Sequence, residues 1–147
     1  MVDRNALRSD YAKVKRYAVE RLGYTVYEGP NYLDTCCSAE RVITICSRTG
    51  IENRLYGLLH ECGHALIRQN AAKFAKEYRP NYEGGFDGRK ARSVEYRVST
   101  VEEEVEAWKR GKRLAKRLGI ELDEERFESH KAECLMTYLR WAVGKLS

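Results

Sequence analysis

One segment, His60-Glu61-Cys62-Gly63-His64, restricts the fold of this chain more than any other, because its two histidines lie four residues apart. In an α-helix, residues at i and i+4 share one face, so both imidazoles can bind a single ion. Apolar residues flank the segment on both sides: Leu58, Leu59, Ala65, Leu66 and Ile67. The pattern predicts a buried helix with His60 and His64 as zinc ligands and Glu61 as the general base.

The same spacing also occurs by chance on ordinary helices, where the histidines are exposed or hydrogen-bonded within a core. This chain has three histidines in all, and two of them fall at ligand spacing inside an apolar helix. Without a metal or other partners, two imidazoles and a carboxylate in such a helix would be costly to bury. We therefore favour the metal site.

Length and composition indicate one domain spanning residues 1–147 and a cytoplasmic protein. Of the 147 residues, 43% are hydrophobic and 33% charged, and no apolar run reaches the length of a membrane span. The first residues lack the hydrophobic region of a signal peptide, so we expect no membrane partner. The five cysteines are an odd number without zinc-ribbon spacing, which predicts reduced, mostly buried thiols.

The net charge of +5 is modest. Its densest part is a basic run on one predicted helix: Lys109, Arg110, Lys112, Arg113, Lys116 and Arg117. A solvated helix face is the ordinary explanation of such a run, and the chain has no recognisable base-reading motif. A nucleic-acid partner is the weaker alternative.

Hydrophobic periodicity and capping residues predict about four helices and a few short strands. A first helix begins at Asp3 or Asn5 and ends at Gly23, and strands follow at 24–27, 34–38 and 41–46. A capping box that starts at Thr49 opens the metal-binding helix, which runs to about residue 69 and extends over 71–77.

The second half of the chain contains a long loop and two further helices. The loop includes the glycine-rich residues 84–88, and residues 93–98 form a strand or an extended segment. A second capping box at Thr100 starts a helix that reaches Leu118, and Asp123 caps the last helix. In that helix Phe127, Cys134, Leu135, Tyr138, Leu139, Ala142 and Leu146 suggest a long packing stripe. We expect an α+β fold, with a few-stranded sheet packed on the active-site helix.

A catalytic zinc site needs a third protein ligand. The metzincin pattern is excluded, because it requires glycine and histidine where this chain has Ile67 and Asn70. His130 lies in a helix with its own apolar stripe, so a carboxylate from residues 102–106 is the better candidate. Glu102 and Glu103 are expected to complement the helix dipole, which leaves Glu104 or Glu106.

The order of these segments resembles the ImmA/IrrE metallopeptidases. The strand at 42–45 precedes a helix with Leu-Leu-His-Glu-Cys-Gly-His-Ala-Leu, and a later helix carries Glu-Val-Glu-Ala-Trp from residue 104. The resemblance covers about residues 24–118 and implies that Glu104 is the third ligand, with Glu106 as the fallback. Trp108 stands where that family usually has asparagine. Another small zincin, such as a SprT-like one, is the alternative.

The resemblance also implies a small cytosolic zinc enzyme of the kind common in phages and mobile elements. We expect a zinc-dependent peptide-bond hydrolase whose substrate is a protein or peptide, with a transcriptional regulator as one candidate. The strand at 42–45 is expected to line the cleft and pair with that substrate. Oxyanion stabilisers are sought among Tyr56, Tyr96 and Arg97. The alternative is a non-catalytic, zinc-stabilised binding or regulatory protein.

Overall fold

The computed structural model describes residues 3–78 and 93–144. Within them the chain has five helices and one three-stranded sheet, which confirms the predicted α+β class. The elements are α1 Arg4–Glu20, β1 Thr25–Gly29, β2 Thr35–Cys37, β3 Val42–Cys46, α2 Ile51–Arg68, α3 Ala71–Glu77, α4 Val94–Arg117 and α5 Glu124–Val143. None of the helices in these two ranges is both long and apolar enough to span a bilayer. The predicted glycine-rich loop at 84–88 lies outside the described residues.

Helix α1 begins at the predicted cap. The Asp3 carboxylate accepts hydrogen bonds from the backbone N–H groups of Asn5 and Ala6 at 2.9 and 3.3 Å. These bonds satisfy amides that have no partner within the helix. Gly23, at φ 76°, then turns the chain towards β1, as the sequence predicted. The buried face of α1 consists of Tyr11, Val14 and Ala18.

The sheet has the order β1-β3-β2, with β3 in the middle. Strand β1 pairs with β3 in parallel, and β2 pairs with it antiparallel. Ile43 and Ile45 of β3 are fully buried in the main core. The prediction that β3 pairs with a substrate is therefore wrong, because both of its edges are already occupied. Within the described residues, β1 and β2 are the two edge strands of the sheet.

Helix α2 forms as predicted, but without the capping box. Gly50 is its N-cap and makes no side-chain cap. Thr49 precedes that position, and its hydroxyl donates to the carbonyl of Cys46 at 3.5 Å. Glu52 instead pairs with Arg126 of α5. Asn70 caps α3 separately, so residues 71–77 form their own helix.

Helix α4 begins six residues earlier than the predicted start at Thr100. Ser93 is its N-cap, and the Ser93 hydroxyl accepts a hydrogen bond from the backbone N–H of Tyr96 at 3.1 Å. The predicted strand at 93–98 is therefore wrong, and Thr100 lies inside the helix with its hydroxyl on the carbonyl of Tyr96. The β-branched residues here favoured a strand, but the cap and tertiary burial outweigh that preference.

Helix α5 is capped by Asp123 as predicted, at 3.0 Å from the backbone N–H of Arg126. Its packing stripe is weaker than expected. Phe127 is fully buried and Cys134 and Leu135 pack partly on the core, whereas Leu139 is 43% exposed. Leu146, the last member of the predicted stripe, lies outside the described residues.

Two glycines let α2 and α4 approach each other closely. A Cβ on residue 63 would lie 2.0 Å from the carbonyl oxygen of Ala107, and one on residue 111 would lie 2.6 Å from that of Leu59. Both distances are far below van der Waals contact. The two helices therefore meet backbone to backbone, and this contact places α4 beside the histidines of α2.

Candidate metal centre

The two histidines of α2 face one carboxylate of α4. Nε2 of His60 lies 2.8 Å from Oε2 of Glu104, and Nε2 of His64 lies 3.1 Å from its Oε1. All three residues are at least nine-tenths buried. The structure thus brings together the three side chains that the sequence and the resemblance nominated as ligands.

Glu61 is also buried and lies next to His60. Its Oε1 is 3.3 Å from Nδ1 of His60, and candidate ligand atoms of His60, Glu61 and His64 lie within 4.8 Å of one another. Glu61 is 4% exposed, so its carboxylate is largely shielded from bulk water.

Glu103 is the main site residue that the sequence analysis assigned differently. Its Oε2 lies 2.5 Å from Nδ1 of His64, and Nη2 of Arg68 lies 2.9 Å from its Oε1. Burial alone would raise the pKa of Glu103, but the contacts with His64 and Arg68 outweigh it and lower the pKa. An ionised carboxylate only accepts hydrogen bonds, so Nδ1 of His64 is the donor and its Nε2 points to Glu104.

The helix start explains this difference. With a start at Thr100, Glu103 falls in the first turn of α4, where carboxylates usually complement the helix dipole. With the observed start at Val94 it lies well inside the helix, between the buried Ser99 and Ala107. Ser99 and Ala107 lie at i−4 and i+4 from Glu103, on the same helix face. A sequence prediction that this face is buried could have identified Glu103 as a site residue.

The indole ring of Trp108 packs on the face of the His60 imidazole. The two rings stack with their centroids 4.3 Å apart and their planes at 12°. Trp108 is 2% exposed, and it also contacts Phe127 and His130 edge to face. Trp108, which stands where the resembled family usually has asparagine, therefore packs on the candidate ligand His60.

Two alternative ligands lie elsewhere. Glu106 pairs with Arg110 and Arg113, both at 3.1 Å, on the outer side of α4. His130 packs against the rings of Tyr56 and Trp108, with its Nε2 3.8 Å from the sulfur of Cys134.

A cavity of about 280 Å³ opens over the histidines and carboxylates. Besides them it is lined by Asp34, Thr35, Cys36, Arg68, Tyr96, Thr100 and Tyr138. Of the oxyanion candidates, Tyr96 lies in this cavity, Tyr56 lies in the core, and Arg97 donates to the carbonyl of Ala142. Tyr138, which the sequence predicted to lie in a packing stripe, also lines this cavity, and burial followed by the charge of Glu104 raises the pKa of its phenol.

The charges of the site favour a bound cation. Burial alone would lower the pKa of His64, but hydrogen bonds to Glu103 and Glu104 outweigh it and raise the pKa to about 10. Burial alone would likewise raise the pKa of Glu104, whereas hydrogen bonds to His60 and His64 lower it to about 2. Positive charge at the imidazoles thus offsets buried negative charge.

This donor set fits a divalent metal ion. Two imidazole nitrogens and one carboxylate are the protein ligands of many catalytic zinc sites. The hydrogen bond from Nδ1 of His64 to Glu103 also fits, because a ligating histidine usually donates its other ring N–H to an acceptor that fixes its orientation.

The basic run on α4 is partly neutralised within the chain. Arg110 and Arg113 pair with Glu106, and Lys112 pairs with Glu124 and Glu128. Three of the six basic residues of the run therefore form ion pairs within the chain.

No protein-family model, curated protein or solved structure matches this chain.

Proposed function

We propose that this protein is a zinc-dependent peptide-bond hydrolase of the ImmA/IrrE kind, working in the cytosol on a protein or peptide. One observation carries the proposal: the Glu104 carboxylate, from a distant segment, lies against Nε2 of both His60 and His64. The spacing in α2 alone accounts for the histidine pair. A three-ligand catalytic site requires a third protein ligand near these two nitrogens, and the buried Glu104 carboxylate lies there.

His60, His64 and Glu104 would hold Zn²⁺ and leave one coordination position to a water molecule. When bound, the ion supplies Lewis acidity, which brings the pKa of that water towards neutrality. Glu103 and Arg68 keep His64 in the tautomer whose Nε2 is free to bind. Trp108 holds the His60 ring in place from the opposite face.

Glu61 is the proposed general base. Its buried carboxylate accepts the proton of the attacking water and then passes that proton to the leaving amine of the peptide. Because Glu104 occupies the Nε2 side of both histidines, Glu61 is not needed as a ligand and is available for this role.

The carbonyl oxygen of the scissile bond needs a hydrogen-bond donor as negative charge develops on it. Tyr138 lies beside Glu104 at the cavity wall, and burial together with the charges of Glu104 and Glu61 raises the pKa of its phenol. The hydroxyl therefore keeps its proton at neutral pH and can donate. Tyr96 lines the same cavity from α4.

Strand β2 supplies a binding edge for an extended peptide. Among the described residues it pairs with β3 alone, and its residues Thr35 and Cys36 line the cavity. A peptide that adds to this edge would satisfy its backbone groups by strand addition. Its scissile bond would then lie next to the histidines.

The test is cleavage of a mixture of proteome-derived peptides by zinc-loaded protein. We expect wild type to cut, and Glu61→Gln to retain zinc and fold while losing turnover. Glu106→Gln is the matched control, because it removes a glutamate of α4 that faces away from the site. Equal cleavage by Glu61→Gln and wild type would disprove the base assignment.

Elemental analysis separates the peptidase from a non-catalytic zinc protein. We expect one zinc per chain in wild type and in Glu106→Gln, and a large loss in Glu104→Gln. A zinc-loaded wild type that cuts no peptide would favour the non-catalytic alternative.

A further inference from the structure

A second cavity opens beside the metal centre. It has a volume of about 440 Å³ and shares part of its lining with the first cavity, namely Asp34, His60, Glu61 and Tyr138. Its lining residues come from α2, α4 and α5 and from Leu33, Asp34 and Cys46 at the sheet. A group bound in it would therefore sit directly next to the proposed general base.

The walls that belong only to this cavity are largely apolar. They include Leu33, Cys46, Trp108 and Cys134. On the α2 side the wall is Gly57, where a Cβ would lie 2.3 Å from Oδ2 of Asp34. The glycine lets the Asp34 carboxylate pack on the helix, while Oδ1 of Asp34 accepts from the backbone N–H of Cys46 at 2.8 Å.

The charged groups of the lining disfavour an anion. Asp34 and Glu61 supply carboxylates, and none of the described residues that line the cavity is lysine or arginine. His130 is half-buried there, and burial lowers its pKa, which favours the neutral ring. Among the described protein groups of the lining, an acidic side chain would therefore meet two carboxylates and no lysine or arginine.

We propose that this side cavity binds one large apolar side chain of the peptide substrate, next to the scissile bond. The proposal rests on the proposed peptidase function and adds its substrate class: peptides with a leucine, methionine or phenylalanine at the cut and no acidic residue there. Burial of such a side chain supplies the binding free energy that the polar metal cavity does not offer.

The experiment maps cleavage sites in a proteome-derived peptide mixture and compares three zinc-loaded proteins. Thr137→Trp places an indole at the cavity wall, whereas Met136→Trp places one on the neighbouring, 45% exposed position outside it. We expect wild type and Met136→Trp to cut beside large apolar residues. Thr137→Trp should lose at least about 10-fold in kcat/KM on those peptides and shift towards small residues.

Leu33→Ala provides a second variant. Leu33 is 79% exposed, so its truncation spares the core while removing an apolar wall. We expect weaker preference for large apolar residues without loss of zinc. Cutting without side-chain preference, or a preference that both Thr137→Trp and Leu33→Ala leave unchanged, would overturn the side cavity and leave the peptidase standing.

A binding measurement separates the two proposals. Calorimetry of zinc-loaded wild type with N-acetyl-leucinamide and N-acetyl-glycinamide should show binding of the first only, weakened by Thr137→Trp. Leucinamide binding without any peptide cleavage would sink the peptidase and keep the cavity as a ligand site. Absence of both would overturn both.

Discussion

Gly63 of α2 lies against the backbone of Ala107 in α4, so closely that a Cβ on residue 63 would be 2.0 Å from the Ala107 carbonyl oxygen. The contact falls between His60 and His64 on one helix and three residues beyond Glu104 on the other. Helix separation at this point would therefore move the carboxylate away from both imidazoles. The glycine in the motif thus couples helix packing to the metal centre.

Gly63→Ala is expected to destabilise the protein by about 1–3 kcal/mol, because overpacking forces the backbone to shift. It should also weaken zinc binding, since α4 carries both Glu103 and Glu104. Thermal unfolding and zinc competition with a chelator measure the two effects. Gly50→Ser is the control, because a Cβ there meets nothing within 4 Å and serine is a good N-cap. Equal zinc affinity in Gly63→Ala and wild type would contradict the coupling.

Glu103→Gln is expected to lower zinc affinity by about 10- to 100-fold while the fold is kept. The amide removes the charge that orients His64 and pairs with Arg68. Chelator competition gives the affinity, and circular dichroism monitors the fold. Glu102→Gln is the matched control, because Glu102 is the exposed neighbour on the same helix. If both variants bind zinc like wild type, Glu103 has only a structural role.

The local part of the site could be predicted from the sequence, because the helix repeat alone places His60, Glu61 and His64 together. The third carboxylate is forty residues away, and no local rule brings it there. The assignment of Glu102 and Glu103 to the helix dipole narrowed the choice of third ligand to Glu104 or Glu106, and the resemblance favoured Glu104. The structure places Glu104 at the histidines and Glu106 with Arg110.

The remaining differences arise from tertiary contacts. Val94 and Val98 favour a strand locally, yet the Ser93 cap and the buried face of α4 make this segment helical. Because the predicted helix began too late, Glu103 was assigned to its first turn and not to the site. The three strands were predicted from β-branched residues and turns, but their order was not, because strand pairing is a non-local contact that the sequence of each strand does not specify.

Zinc binding is expected to strengthen as the pH rises. In the metal-free protein His64 has its pKa raised to about 10 by Glu103 and Glu104, against the effect of burial, so it is protonated at neutral pH. A metal ion binds Nε2 only after a proton leaves the imidazole. Calorimetric titration from about pH 6 to about pH 9 should show rising affinity and proton release. A pH-independent affinity would show that His64 is not a ligand.

Tyr138→Phe is expected to lower kcat by about 10²- to 10³-fold, the usual effect of losing one oxyanion donor. Zinc affinity should change little, because the phenol lines the cavity without belonging to the proposed ligand set. Steady-state kinetics on one cleaved peptide, together with chelator competition, separate the two quantities. Tyr27→Phe, at an exposed position of β1, is the control. A Tyr138→Phe protein that keeps kcat at saturating zinc but binds zinc more weakly would assign Tyr138 to metal binding. Oxyanion stabilisation would then fall to Tyr96, the other tyrosine among the described residues of the cavity.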